Sequence, residues 1–205
     1  MRHLFIGAHP DDIEFSCAGT ISKLIAIEDE VGCIVMGAGE HSDAENNSER
    51  SADQWAVWNF LGIEYGKILD FADGYMHENK SMVSAIAERI REFNPDVVYV
   101  HDPNDRHQDH RAVANAVISA CGTYWNLVFY DSYSSTGFAP NVFVVIDEYI
   151  DQKQEALKLF RSEMEKYKKR GKPFDDSALR RSARHGHDAE CGHAEGFRVA
   201  RCVID

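Results

Sequence analysis

The sequence predicts an α/β protein, a single Rossmann-like domain over residues 1–205 with a mostly parallel sheet flanked by helices. Three observations carry this reading. Short apolar runs bounded by turn residues alternate with longer segments of helical periodicity, the pattern of strands joined by crossover helices. A chain of 205 residues buries one core without needing to divide. Its 44% hydrophobic and 27% charged residues lie far from the composition of disordered chains.

The first strand covers residues 2–8, where Leu4, Phe5 and Ile6 run into Gly7 and Ala8. A helix is expected over 19–27, because Ile21, Leu24 and Ile25 recur at helical spacing. A second strand follows over 31–36. Residues 37–47 are rich in Gly, Ser, Asn and acids and read as a loop, with Ser48 as the N-cap of a helix that runs to Leu61. After a short strand at 68–71, Val83, Ile86, Ala87 and Ile90 share one face of a helix over 81–93, capped by Ser81 and closed by Pro95. Residues 96–101 form a strand of the buried kind, 102–106 a turn, and 109–121 a helix. Strands at 127–131 and 142–146 precede a long helix over 147–168. Residues 169–193 are basic and glycine-punctuated, and 197–203 close the chain as a strand.

Charge and cysteine usage narrow the function. Lys and Arg number 22 against 34 Asp and Glu, a net charge of −12 that repels a phosphate backbone and argues against nucleic acid as partner. No signal peptide or membrane span is visible, so the expected location is cytoplasmic. Cys17, Cys33, Cys121, Cys191 and Cys202 are odd in number, widely spaced and without a Cys-x-x-Cys pair, which argues against a disulfide framework. Of ten histidines, six fall in short runs around His9, 107–110 and 185–193, which makes metal chemistry worth testing.

Ligands of open α/β sheets bind outside the carboxyl ends of the strands, and two polar clusters occupy such places. His9-Pro10-Asp11-Asp12 follows the first strand, and His107-Gln108-Asp109-His110 follows the strand that ends at His101. Across the proline-fixed turn, His9 and Asp12 can converge on one ion, and His110 would complete three ligands with a position left open for water. This mixed nitrogen and oxygen set suits Zn2+ and would also accept Fe2+ or Co2+. Singly, each piece reads better as a turn or helix cap. Two dense His/Asp clusters at strand ends of one sheet edge reverse that balance. No Gly-x-Gly-x-x-Gly or Walker loop follows the first strand, which weighs against nucleotide binding. A rival cluster, His185, His187, Cys191 and His193, matches no standard zinc finger, and Arg180, Arg181 and Arg184 nearby favour a charged loop or subunit contact. His187 and His193 stay open as residues of a substrate cleft.

The segment Ala8-His9-Pro10-Asp11-Asp12-Ile13-Glu14 with Gly19-Thr20 resembles the opening motif of the LmbE/PIG-L family of zinc-dependent N-acetylglucosamine deacetylases, and 106–110 resembles its second motif. Ser134-Ser135-Thr136, Pro140-Asn141 and 193–197 look like later landmarks, so the likeness covers nearly the whole chain. Ser16 and Ala18 stand where glycines are common, and Gln108 where proline is usual. The resemblance implies His9, Asp12 and His110 as zinc ligands and Asp11 as general base. It implies a protonated His107 facing the oxyanion, with Asp109 orienting that histidine. Arg50 and Asp53 match a family Arg-x-x-acid pattern at the start of a helix, and the resemblance implies contact with sugar hydroxyls. The implied partner is a small-molecule amino sugar, and such proteins often assemble as homo-oligomers. A binding module that kept the fold and lost the chemistry is the alternative, against which the intact Asp11 argues.

Overall fold

The structure is a computed structural model that describes residues 1–38, 47–123, 125–169, 171 and 173–203. Its strands are β1 Arg2–Gly7, β2 Glu30–Val35, β3 Tyr65–Ile68, β4 Val97–His101, β5 Asn126–Tyr130, β6 Val142–Val145 and β7 Ala194–Arg201. They form one sheet in the order β3-β2-β1-β4-β5-β7-β6. The first five in that order pair in parallel, whereas β7 runs antiparallel to both β5 and β6. The helices are α1 Asp12–Ala26, α2 Asn47–Leu61, α3 Lys80–Phe93, α4 Gln108–Cys121, α5 Ile150–Lys158, α6 Arg161–Lys169 and α7 Phe174–Asp188.

Side chains of a strand alternate between faces, and here both faces are covered, which is why the central strands read as continuous apolar runs. Phe5, Cys33 and Val35 pack against Ile13 of α1, Trp58 of α2, Leu157 of α5 and Phe174 of α7. Leu4, Ile6 and Ile34 pack against Ile86 and Ile90 of α3 and Val113 and Val117 of α4. From β1 the chain steps to β2 and β3 on one side, while β4 and β5 lie on the other. The order therefore reverses between β1 and β4, and a crevice opens outside their carboxyl ends.

Several boundaries differ from the sequence expectation. α1 starts at Asp12 rather than at residue 19, because Asp12 to Ile21 are buried on every side and show no amphipathic stripe. β3 covers Tyr65–Ile68 instead of 68–71, since Leu69 and Phe71 pack onto the core after the strand has ended. Asn79, not Ser81, caps α3, accepting from the Met82 N–H at 3.0 Å. Ser48 lies inside α2, and residues 39–46 of the loop expected over 37–47 fall outside the described residues. The long helix at 147–168 is broken into a 3-10 turn, α5 and α6, with Phe160 buried at the break. Residues 169–193, which the sequence marks only as basic and glycine-punctuated, contain α7, whose Ala178, Ser182 and His185 face inward. β7 begins at Ala194, three residues earlier than expected.

β7 is tied to α1 by a buried carboxylate. Glu195 accepts from the Gly19 N–H at 3.0 Å and the Thr20 N–H at 2.7 Å, and pairs with the equally buried Lys153 of α5 at 2.5 Å. Gly19 is required there, because a Cβ would lie 2.6 Å from Ile146 Cδ1. Removing one partner of a buried pair strands the other charge, at a cost of about 3–5 kcal/mol. Glu195→Ala is thus expected to lose that much stability in urea denaturation, and Lys153→Met with Glu195→Gln clearly less. Equal losses in the two proteins would show that the uncompensated lysine is not the cause.

Candidate active site

β1 and β4 pair in parallel with Ile6 opposite Val100, so the segments that follow them leave the sheet side by side. After β1, Asp11 takes φ 91° and ψ −25°, a left-handed conformation that costs a non-glycine residue about 1–2 kcal/mol. This bend turns the chain directly from strand into α1. It is held by Gln54 Oε1, which accepts from the Asp11 N–H at 3.1 Å, and by Arg50 Nη2, which donates to the Pro10 carbonyl at 3.2 Å. The Asp11 side chain makes no capping hydrogen bond, so its carboxylate is left to face the cleft. After β4, His107 caps α4 through Nδ1, which accepts from the Asp109 N–H at 3.2 Å.

Asp12 bridges the two segments. Its Oδ1 lies 3.2 Å from His110 Nε2, and its Oδ2 lies 3.3 Å from His9 Nδ1 and accepts from the His9 N–H at 2.8 Å. On its other side, His9 Nε2 meets Asp73 Oδ1 at 2.9 Å and Asp109 Oδ2 at 3.0 Å. The His110 ring stacks on His101 at 3.8 Å and on His107 at 4.6 Å. One ligand atom each from His9, His107 and His110 lies within 4.8 Å of the others, as does one each from Asp12, His101 and His110.

The charges show what this cluster can hold. Burial opposes charge on His9, but Asp109, Asp12 and Asp73 outweigh it and hold its pKa well above the usual imidazole value. Burial likewise opposes charge on His110, which Asp12 and Asp105 push up to about 9. Asp12 stays well below the carboxylate range because His110 and His101 overcome its burial. The surrounding carboxylates thus demand positive charge at the imidazole nitrogens, and a divalent cation shared by these nitrogens and oxygens meets the same demand. His101 is the exception in its group. Burial and the neighbouring His110 lower it to about 4, and its Nε2 already accepts from the Ala8 N–H at 3.1 Å. Its lone pair is spent, which makes it the weakest donor of the group it forms with Asp12 and His110.

Other positions differ from the sequence expectation. The Asp109 carboxylate meets His9 and accepts from the Gly74 N–H at 2.6 Å, so only its backbone N–H meets the His107 ring. Burial, then His110 and His9, lower the His107 pKa, which disfavours the expected imidazolium. Because Nδ1 accepts, the proton of the neutral ring sits on Nε2, where it remains a donor. Arg50 lines the cleft, but Asp53 does not: its carboxylate accepts from the Ser162 N–H and hydroxyl at 3.2 and 3.0 Å, at the start of α6. Within the C-terminal cluster, His185 Nε2 meets Asp131 at 2.9 Å and His193 meets Asp147 at 3.5 Å. Among the described residues these histidines and Cys191 form no metal-holding group, and neither His187 nor His193 lines the cleft.

The cleft measures about 490 Å³. Arg50, Asp73, Glu163 and Lys166 lie along it together with Phe15, Tyr133, Tyr167 and Phe174. Glu163, Lys166 and Tyr167 come from α6, a segment the sequence offered only as part of a long helix. Gln54 and Asp73 were equally hidden, since a lone glutamine in a helix and a lone acid in a loop carry no motif.

Residues 4–121 match the family described as PIG-L: GlcNAc-PI de-N-acetylase, and the chain belongs to this deacetylase family. It is 35% identical over 167 residues to the "Uncharacterized deacetylase YaiS" of Escherichia coli (strain K12), covering 78% of this chain and 90% of that protein. It is 24% identical over 184 residues to the "Probable N-acetyl-alpha-D-glucosaminyl L-malate deacetylase 2" of Bacillus anthracis, covering 79% and 81%. Among solved structures, the N,N'-diacetylchitobiose deacetylase of Pyrococcus horikoshii shares the fold with a TM-score of 0.84 at 21% identity, over 97% of this chain and 83% of that one. No helix among the described residues is long and apolar enough to cross a membrane.

The bend at Asp11 makes a prediction about stability. Asp11→Gly is expected to be about 1 kcal/mol more stable than Asp11→Ala, as measured by urea denaturation. Equal midpoints would mean that the turn does not impose the left-handed backbone.

Proposed function

We propose that this protein is a zinc-dependent amide hydrolase that removes the acetyl group from the nitrogen of an N-acetylglucosamine-type sugar or its conjugate. The observation that carries the reading is a half-buried Asp11, its carboxylate not used to cap α1, set directly beside the donor set His9, Asp12 and His110. Zn2+ on these three residues would supply Lewis acidity, lowering the pKa of a water and polarising the acyl carbonyl.

The chain's own residues would do the rest. Burial first, then the like charge of Glu163, raise the Asp11 carboxyl well above its usual range, against the pull of Arg50. A carboxylate so raised is a better proton acceptor near neutral pH. Asp11 takes a proton from the attacking water as the new C–O bond forms. The His107 Nε2–H donates to the developing alkoxide, as an oxyanion-hole donor does. Asp11 then returns the proton to the nitrogen as the C–N bond breaks, releasing acetate and a free amine. Arg50, paired with Asp11 at 3.6 Å and Glu163 at 3.4 Å, keeps the base in place. The cleft suits an amphipathic ring, with Tyr133 and Tyr167 for its apolar face and Glu163, Lys166 and Ser134 for its hydroxyls.

Two variants test the division of labour. Asp11→Ala is expected to bind zinc normally and to lose about 10²–10⁴-fold in turnover of an N-acetylglucosaminide, whereas His110→Ala loses both. Metal content and freed amine are the measurements. Wild-type turnover in Asp11→Ala would remove the base from the mechanism, and zinc-loaded wild-type protein without deacetylation would remove the reading itself.

A further inference from the structure

The turn between β4 and α4 carries a carboxylate that the proposed chemistry leaves unused. Asp105 is 2% exposed, and its hydrogen bonding is unusually complete. Oδ1 accepts from the Ser134 hydroxyl at 2.6 Å and from the His107 N–H at 2.8 Å. Oδ2 accepts from the Ser132 hydroxyl and, at 3.4 Å, from that of Ser135, and it lies 3.3 Å from His110 Nδ1. Arg111 Nη1 donates to the Asp105 carbonyl at 2.7 Å, which fixes its backbone. Three serines within four positions after β5 thus close around one carboxylate. Ser134 and Ser135 are part of a sequence landmark, and the chemical steps of the proposed mechanism use neither.

An ionised carboxylate has only lone pairs to offer. The nitrogen that faces it must therefore carry the hydrogen, and in a neutral imidazole the other nitrogen then holds the free pair. In His110 the nitrogen facing Asp105 is Nδ1, and the one facing Asp12 and the cleft is Nε2. We infer that Asp105, clamped by Ser132, Ser134 and Ser135, is a positioning residue that sets the tautomer and orientation of His110, so that Nε2 is presented to a divalent metal. His107 and His110 are linked through the same carboxylate, because the His107 N–H that starts the turn into α4 is bound to it. The serine loop after β5 thereby governs a metal ligand at the start of α4 without touching the ion.

This inference rests on His110 being a metal ligand, so the test separates the two claims. Affinity for Co2+ is measured by competition with a chromophoric chelator in the full-length protein, with the visible absorption of bound Co2+ as a second readout. Asp105→Asn can turn its amide NH2 toward Nδ1 and so favour the wrong tautomer. It is expected to weaken Co2+ binding by about 10- to 100-fold and to shift the cobalt bands. Circular dichroism confirms that the variant is folded. If it does not fold, Ser135→Ala keeps the carboxylate but removes one of its holders, and a smaller loss of affinity with a band shift is the expected result. Wild-type affinity and spectrum in the folded variant would overturn the role of Asp105 alone. Failure of the wild-type protein to bind Co2+, Zn2+ or Fe2+ would overturn the metal centre and this inference with it.

Discussion

The in-register pairing of β1 with β4 is the constraint on which the rest of the site depends. It places the end of one strand beside the end of another that lies some ninety positions later in the chain. Asp12 can then meet both His9 and His110 with a single carboxylate. Without that adjacency the motifs would be two turns, each with a capping acid and a histidine. With it, several buried carboxylates and imidazoles share one small volume, and a cation becomes the natural way to balance them.

Two unfavourable features meet at Asp11. A non-glycine residue in the left-handed region and a half-buried carboxyl beside the like charge of Glu163 are both unfavourable. They persist because the surroundings hold them: Gln54 and Arg50 grip the bend, and Glu195 of β7 fastens α1 farther along. The antiparallel end of the sheet therefore serves the site indirectly, by anchoring the helix that starts at Asp12.

Two kinds of support converge at the crevice. From the sheet edge come the short, rigid turns after β1, β4 and β5, which carry the imidazoles and their carboxylate partners. From outside comes α6, which brings Glu163, Lys166 and Tyr167 onto a cleft whose inner end is the histidine cluster. The walls of the cleft rather than its floor are where substrate choice would be made.

The sequence by itself determined the fold class, the order of the strands along the chain and the two motifs at strand ends, because local periodicity and short-range spacing record these directly. It determined neither the buried start of α1, where apolar neighbours on all sides erase the helical stripe, nor α7, whose inward residues are spread among Arg and His. Only the tertiary structure decided that Asp53 caps α6 instead of lining the cleft, that Asp109 faces His9, and that His101, Asp73 and Asp105 join the cluster. Those are contacts between segments distant in sequence, set by which strands pair and which helices cover them, and no short stretch of residues encodes them.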